Sequence, residues 1–285
     1  MNKVYKVGFL LVLSWSIGCS GTTLSVKQIE ALKNVSVGNG LAFHPTGRLL
    51  LISKPSDELD QRTGKYLYRI YQLEWIENHW SDPMLVSFNS KYNNYHPVFS
   101  PDGKWIFFNS NRPAQGDSLP SEKVNIWRVS FQEGEFGVPE YLVAINTANH
   151  ESYPSITSRG HLFFNSDRPG GLGSMDIYRS EDQGSEFGKP VLVGELNSPD
   201  SENDLAITPD GQFMILNRYH FDSDEISMYF SHRKEGEWTT PTPLKRINRR
   251  REWELTPTFS PDSKYFFYEL NGEIKTVKMD TLFND

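Results

Sequence analysis

Pro97-Val-Phe-Ser-Pro-Asp-Gly-Lys104 is the fullest copy of a unit that occurs five times in this 285-residue chain. The other copies are Leu41-Ala-Phe-His-Pro-Thr-Gly-Arg48, Pro154-Ser-Ile-Thr-Ser-Arg-Gly-His161, Leu205-Ala-Ile-Thr-Pro-Asp-Gly-Gln212 and Pro257-Thr-Phe-Ser-Pro-Asp-Ser-Lys264. Their turn positions, Gly47, Gly103, Gly160, Gly211 and Ser263, lie 56, 57, 51 and 52 residues apart, the length of one four-stranded propeller blade. Within the unit, proline presets φ and glycine permits a positive φ, so the chain reverses in a few residues. A short apolar run follows each turn, aromatic-rich as at Trp105 to Phe108 and Tyr265 to Tyr268, too short for a helix and suited to a buried strand.

Beyond each second strand lies an alternating segment that reads as a half-buried third strand: Leu67 to Leu73, Asn125 to Val129, Asp176 to Ser180 and Ser227 to Ser231. Three units then end in an aromatic followed by proline, Phe136-Gly-Val-Pro139, Phe187-Gly-Lys-Pro190 and Trp238-Thr-Thr-Pro241, which suits an outer edge strand. The fifth unit runs to the end of the sequence with no such strand. Residues 24 to 33 are expected to supply it, closing the ring by an N-terminal strand and covering an exposed edge. The expected fold is all-β, a five-bladed β-propeller of four-stranded blades. A six-bladed ring with one degenerate blade is the alternative.

The sequence opens with Lys3 and Lys6, an apolar run from Val7 to Ile17, and then Gly18-Cys19-Ser20-Gly21. This is the layout of a secretory leader. A small residue directly before the single cysteine is similar to a bacterial lipobox, although Ser16 stands where leucine is usual. Residues 1–18 are therefore expected to be a lipoprotein signal peptide, Cys19 the lipidation site, and residues 19–285 one propeller domain. One cysteine allows no intrachain disulfide, so packing alone must hold the fold. Loss of Lys3 and Lys6 takes the formal charge from −7 to −9, which argues against nucleic acid as a partner.

Across residues 35 to 280 the units resemble the TolB-type, WD40-like β-propeller repeat family. The resemblance is carried most specifically by Phe99-Ser-Pro-Asp-Gly-Lys104 with Phe108-Asn-Ser-Asn-Arg-Pro113, and by Phe164-Asn-Ser-Asp-Arg-Pro-Gly-Gly171 with Asp176-Ile-Tyr178. The second is similar to repeats in bacterial envelope proteins that join a propeller to an OmpA-like peptidoglycan-binding domain. No segment here reads as that domain, so peptidoglycan binding is not carried over. What the resemblance implies is protein contact at the envelope; a shared fold does not fix a shared partner.

Aligned units place Asn94, Glu151, Glu202 and Glu254 at one position before the innermost strand, where they are expected to ring one mouth of the central channel. Arg112, Arg168 and Arg218 align at the exit of the second strand, near the same rim. Two readings stand side by side. The set is a funnel for a polar ligand, or it is a series of ion pairs copied because the unit is copied. Paired carboxylates at such a mouth also suit glycoside hydrolysis, which needs them about 5 to 9.5 Å apart. No unique carboxylate is seen outside the repeat register, no His-x-x-x-His or Glu-x-x-His pair suggests zinc, and no Gly-x-Ser-x-Gly elbow occurs, so no metal or other cofactor is expected.

Three smaller features remain. Asp222-Ser-Asp-Glu225 is either a calcium-binding loop or a solvated acidic turn. Lys245-Arg-Ile-Asn-Arg-Arg-Arg251 is a basic cluster that either meets an acidic partner or headgroup or simply connects two units. Gly170, Gly171 and Gly173 lack the Lys-Ser/Thr of a phosphate loop and read as a flexible blade loop. The expected function is a noncatalytic, lipid-anchored protein of the bacterial envelope, exported and periplasm-facing on the outer membrane, binding a protein or a cell-wall or glycan ligand. The rival is a glycan-acting enzyme using the channel-mouth carboxylates.

Overall fold

The computed structural model describes residues 22–114, 123–248 and 254–282. They form a five-bladed β-propeller whose blades are antiparallel sheets in sequence order. The innermost strands are Leu41–Phe43, Asn94–Phe99, Glu151–Ile156, Ser201–Ile207 and Leu255–Phe259, and each pairs with the next strand through the repeated turn. That turn forms for the reason its residues suggest. Gly47, Gly103, Gly160 and Gly211 take φ between 67° and 76°, and Asp102 Oδ1 accepts from Ser100 Oγ (2.6 Å) and Lys104 N (3.1 Å). Asp210 and Asp262 repeat the arrangement. At Gly103 a Cβ would also collide with the His44 ring of the neighbouring blade.

The second strands are buried on both faces, which explains their paired aromatics. Phe108 packs into the core between blades one and two, while Phe107 turns to the core between blades two and three. Phe163 and Phe164 split in the same way between their two neighbouring cores, as do Phe266 and Phe267. Successive residues of a strand point to opposite faces, so a blade between two blades needs an apolar residue at both. Burying each ring stabilises the fold by roughly 1.5–3 kcal/mol. The outer strands Met84–Leu85, Glu140–Tyr141, Val191–Leu192 and Thr242–Pro243 are two residues each, short edges that offer little backbone for pairing.

The ring closes differently from the expectation. Residues 24 to 33 add no strand; they form the helix Val26–Ala31, followed by the 3₁₀ turn Leu32–Asn34, and the fifth sheet has three strands among the described residues. Ser25 and Gln28 make a reciprocal capping box, a helix-start signal that outweighs the extended reading of Leu-Ser-Val. Leu24, Gln28 and Leu32 recur at intervals of four and are all buried, the spacing of one helical face. The segment still latches the ring, because Leu24 and Leu32 join Phe43, Trp80, Phe267 and Ile274 in the core between blades one and five. Gln28 Nε2 donates to Gly47 O (2.6 Å) and Trp80 Nε1 donates to Gln28 O (3.2 Å). The leader, Cys19 and Arg249–Arg251 of the basic cluster lie outside the described residues. Among the described residues, no helix is long and apolar enough to cross a membrane.

Candidate functional site

The aligned charged residues meet within blades. In blade three, Glu151 is fully buried and its carboxylate accepts from Thr147 N (2.8 Å), Thr147 Oγ1 (2.7 Å), Ser166 Oγ (2.9 Å) and Arg168 Nη2 (3.0 Å). Arg168 also donates to Ile145 O (2.7 Å) and lies over the rings of Phe164 and Tyr178. Blade four repeats this with Glu202, held by Ser198 and by Arg218 Nε at 2.7 Å, and Arg218 lies over Tyr229. Burial raises the Glu202 carboxyl, against the opposing pull of Ser198 and Arg218. In blade two Asn94 replaces the acid and accepts from Arg112, which stacks over Phe108 and Trp127; burial lowers this guanidinium to about 10. Glu254 is 1% exposed at the start of the last inner strand, and its carbonyl accepts from Asn217 Nδ2 (3.0 Å). The structure thus pairs Glu151 with Arg168, Glu202 with Arg218 and Asn94 with Arg112 inside their blades, and buries Glu254.

Two residues further along, within the inner strand or, in blade one, just before it, stands a residue in the left-handed region: Gly40 (φ 102°), His96 (53°), Tyr153 (52°), Asp204 (48°) and Thr256 (52°). In blades two to five it sits in a break of the strand register. Such bulges aim side chains out of the ladder, at a strain of about 1–3 kcal/mol for each residue other than glycine. The five meet around the channel axis. His96 packs edge-on against Tyr153 (4.9 Å between centroids), its Nδ1 stands 3.9 Å from Asp204 Oδ1, and Asp204 Oδ2 accepts from Thr256 N. Gly40 completes the ring, since a Cβ there would press on His96 at 3.0 Å from Cα and 3.1 Å from Nδ1.

A second ring stitches the blades. Ser53 and Asn109 accept from His96 N (3.2 Å) and Tyr153 N (3.1 Å), while Asn165 Nδ2 donates to Glu202 O (2.7 Å), as Asn217 does to Glu254 O. Glu269 occupies the fifth position of this ring and is 9% exposed. Burial raises its carboxyl. Burial also raises Asp204 well above the usual carboxylate range, and the nearby Glu269 pushes it further; Thr256 N–H opposes. His96 is lowered to about 3 by burial, and Tyr153, beside Asp204, Tyr95 and Tyr68, is raised by burial. Asp204 Oδ1, His96 Nδ1, Thr256 Oγ1 and Glu269 Oε2 are buried with no hydrogen-bond partner in the protein. At the strand ends away from the repeated turns, half-buried Tyr68 and Tyr95 pack at 5.9 Å beside this cluster.

Asp204 and Glu269 therefore correct the expectation that no carboxylate departs from the repeat: each is an acid where other blades carry a different residue type. The signal was present in the alignment, at Ser53, Asn109, Asn165, Asn217, Glu269 and at the position two beyond Glu202. On the turn side of the ring a cavity of about 80 Å³ is lined by Ala42, Val98, Leu205 and Pro257 and reaches His96. Asp224 of the acidic loop accepts from Tyr219 OH (2.6 Å) in a hairpin turn, and no group of three or more His, Cys, Asp or Glu among the described residues is placed to hold a metal. The glycine loop is built around a side chain of its own blade. Leu172 N and Gly173 N donate to the buried Asp176 carboxylate (3.0 and 3.2 Å), and a Cβ at Gly171 would collide with it.

No protein-family model and no curated protein matches the chain. Among solved structures it is similar to a protein assigned as TolB from Agrobacterium tumefaciens, with 18% identity, a TM-score of 0.51, and 85% of this chain and 75% of that one covered. It is also similar to prolyl oligopeptidase B from Galerina marginata, at 9% identity and a TM-score of 0.50, over 82% of this chain and 31% of that one. A gluconolactonase from Xanthomonas campestris aligns at 12% identity and a TM-score of 0.49, covering 85% and 86%. What the first of these likenesses establishes is the fold alone: a TolB-like propeller.

Proposed function

We propose that the chain is a lipid-anchored member of the TolB-type repeat family in the bacterial envelope, processed after residue 18, anchored at Cys19, and periplasm-facing on the outer membrane. Its propeller is a noncatalytic scaffold that binds an envelope protein or a cell-wall or glycan ligand at the tyrosine-bearing end of the channel. The observation that carries this reading is the convergence of Tyr68, Tyr95 and Tyr153 with Asp204 and Glu269 around the axis. Half-buried tyrosines beside a few fixed polar groups are the usual make-up of a recognition pocket. The rim acids support it from the other side, because Glu151 and Glu202 already accept several internal hydrogen bonds each.

The test is capture from envelope extract on the soluble Cys19→Ser form. Wild-type sequence in the pocket should retain a partner or glycan that Tyr68→Ala and Tyr95→Ala lose. Recovery of nothing, together with turnover of a glycan, defeats the proposal.

A second reading has one observation in its favour. Asp204 and Glu269 are neighbouring carboxyls both raised by burial, the direction in which a general acid is tuned. If the protein cleaves glycans, Asp204→Asn and Glu269→Gln should each abolish turnover measured per folded molecule.

A further inference from the structure

The first described residues dock on one face of the propeller. Thr22 N donates to Pro45 O (2.9 Å) in the repeated turn of blade one, and Lys264 Nζ, from the equivalent turn of blade five, donates to Thr23 Oγ1 (3.0 Å). Leu24 is 2% exposed, and the capped helix behind it is pinned to Gly47 and Trp80, so this entry point is fixed rather than trailing. All five repeated turns share that face, since Pro45, Pro101, Ser158, Pro209 and Pro261 line one cavity. Only Ser20 and Gly21 separate Thr22 from Cys19. Three Cα–Cα steps reach at most about 11 Å. The headgroup layer of a bilayer is itself roughly 5–8 Å thick.

We infer that the propeller sits with its repeated-turn face apposed to the lipid headgroups and its tyrosine-bearing face turned away from the membrane. The inference rests on the proposed lipidation of Cys19; the orientation itself comes from the docking of Thr22 and Thr23. With the tether this short, the turn face cannot swing out to meet a partner larger than the gap. The loops between second and third strands lie on the opposite side of antiparallel blades. They expose Leu59, Tyr66, Leu172 and Phe221, each more than half exposed, around the end of the channel where Tyr68 and Tyr95 open. Partner capture is thereby confined to that face, and the 80 Å³ cavity faces lipid.

The single cysteine makes the test direct, because a lipidated Cys19 carries no free thiol. Lys104→Cys and Arg159→Cys place a thiol at exposed sites on the turn face; Leu59→Cys and Phe221→Cys place one on the far face. Each lipidated protein is bound to vesicles of phosphatidylethanolamine and phosphatidylglycerol and treated with a bulky polyethylene-glycol maleimide. The same substitutions in the soluble Cys19→Ser form set the reference rates, and near-equal reference rates with unchanged unfolding midpoints show that the variants fold. Labelling at Lys104→Cys and Arg159→Cys should be severalfold slower on vesicles, with Leu59→Cys and Phe221→Cys unchanged. A long Gly/Ser linker inserted between Gly21 and Thr22 should restore the slow rates. Equal rates on both faces in protein whose N-terminal peptide carries the lipid mass overturn the orientation alone. An unmodified, maleimide-reactive Cys19 overturns the anchor and this inference with it.

Discussion

The ion pairs at the blade ends and the ring at the channel axis occupy neighbouring positions of the same repeat, yet they are built on opposite rules. Glu151 with Arg168 and Glu202 with Arg218 are near copies, down to the Ser or Thr that caps the acid and the aromatic ring under the guanidinium. Two residues on, the same left-handed backbone position holds Gly40, His96, Tyr153, Asp204 and Thr256, five different residues. A position copied from blade to blade answers a need every blade has, which is to hold its own hairpin. A position with one backbone and five chemistries answers to the axis, which is shared and has no need to be symmetric. Sites in repeat proteins are therefore better sought where the backbone repeats and the residue type does not.

This contrast can be broken by substitution, and the largest effect should come from the copied pair. Glu151→Ala leaves Arg168 and the other donors buried without their acceptor and should cost about 3–5 kcal/mol in denaturant unfolding, with ligand capture unaffected per folded molecule. A loss below 1 kcal/mol would show that the pair is not structural. Gly40→Val combines a φ of 102° with a collision against His96 and should cost about 2–4 kcal/mol, the axis analogue in which packing and shape are inseparable.

The axis should show itself most clearly in pH dependence. His96 falls from 6.5 to about 3 on folding, so the unfolded chain takes up a proton that the folded one refuses. Its contribution is therefore complete above pH 6.5 and is lost as pH falls toward 3, at up to about 1.4 kcal/mol per pH unit. Asp204 runs the other way: its raised carboxyl gives full stability below 3.8 and loses it as pH rises through the folded value. His96→Gln should flatten the acid limb of a stability profile, and Asp204→Asn should flatten the opposing one. Profiles unchanged by both would mean that these groups are solvated. The smallest effect belongs to the stitching ring, where Asn217→Ala removes one interblade bond and should cost about 1–2 kcal/mol by thermal unfolding.

Much of the architecture can be read from spacing alone. Five turns in register, three with both proline and glycine and two with one of them, require five hairpins, and adjacent apolar residues such as Phe107-Phe108 require a neighbour on both faces. Those are local constraints, set within a few residues of chain. The N-terminal segment is a helix and not a strand because Ser25 and Gln28 cap it, a signal that is equally local. The alignment also placed Glu151, Glu202 and their arginines at equivalent levels.

It was silent on who meets whom. Glu151 and Arg168 are 17 residues apart and join only because their two strands pair in one register; His96 and Asp204 are 108 apart and approach only because the ring closes. The sequence by itself determined the repeated hairpins and the turns that link them, since these depend on φ preferences and two-residue alternation; the closed ring excluded a sixth, degenerate blade. Only the tertiary structure decided which residues face the axis. A bulge shifts the side-chain alternation at one point in the strand, and nothing in the period marks where that shift falls.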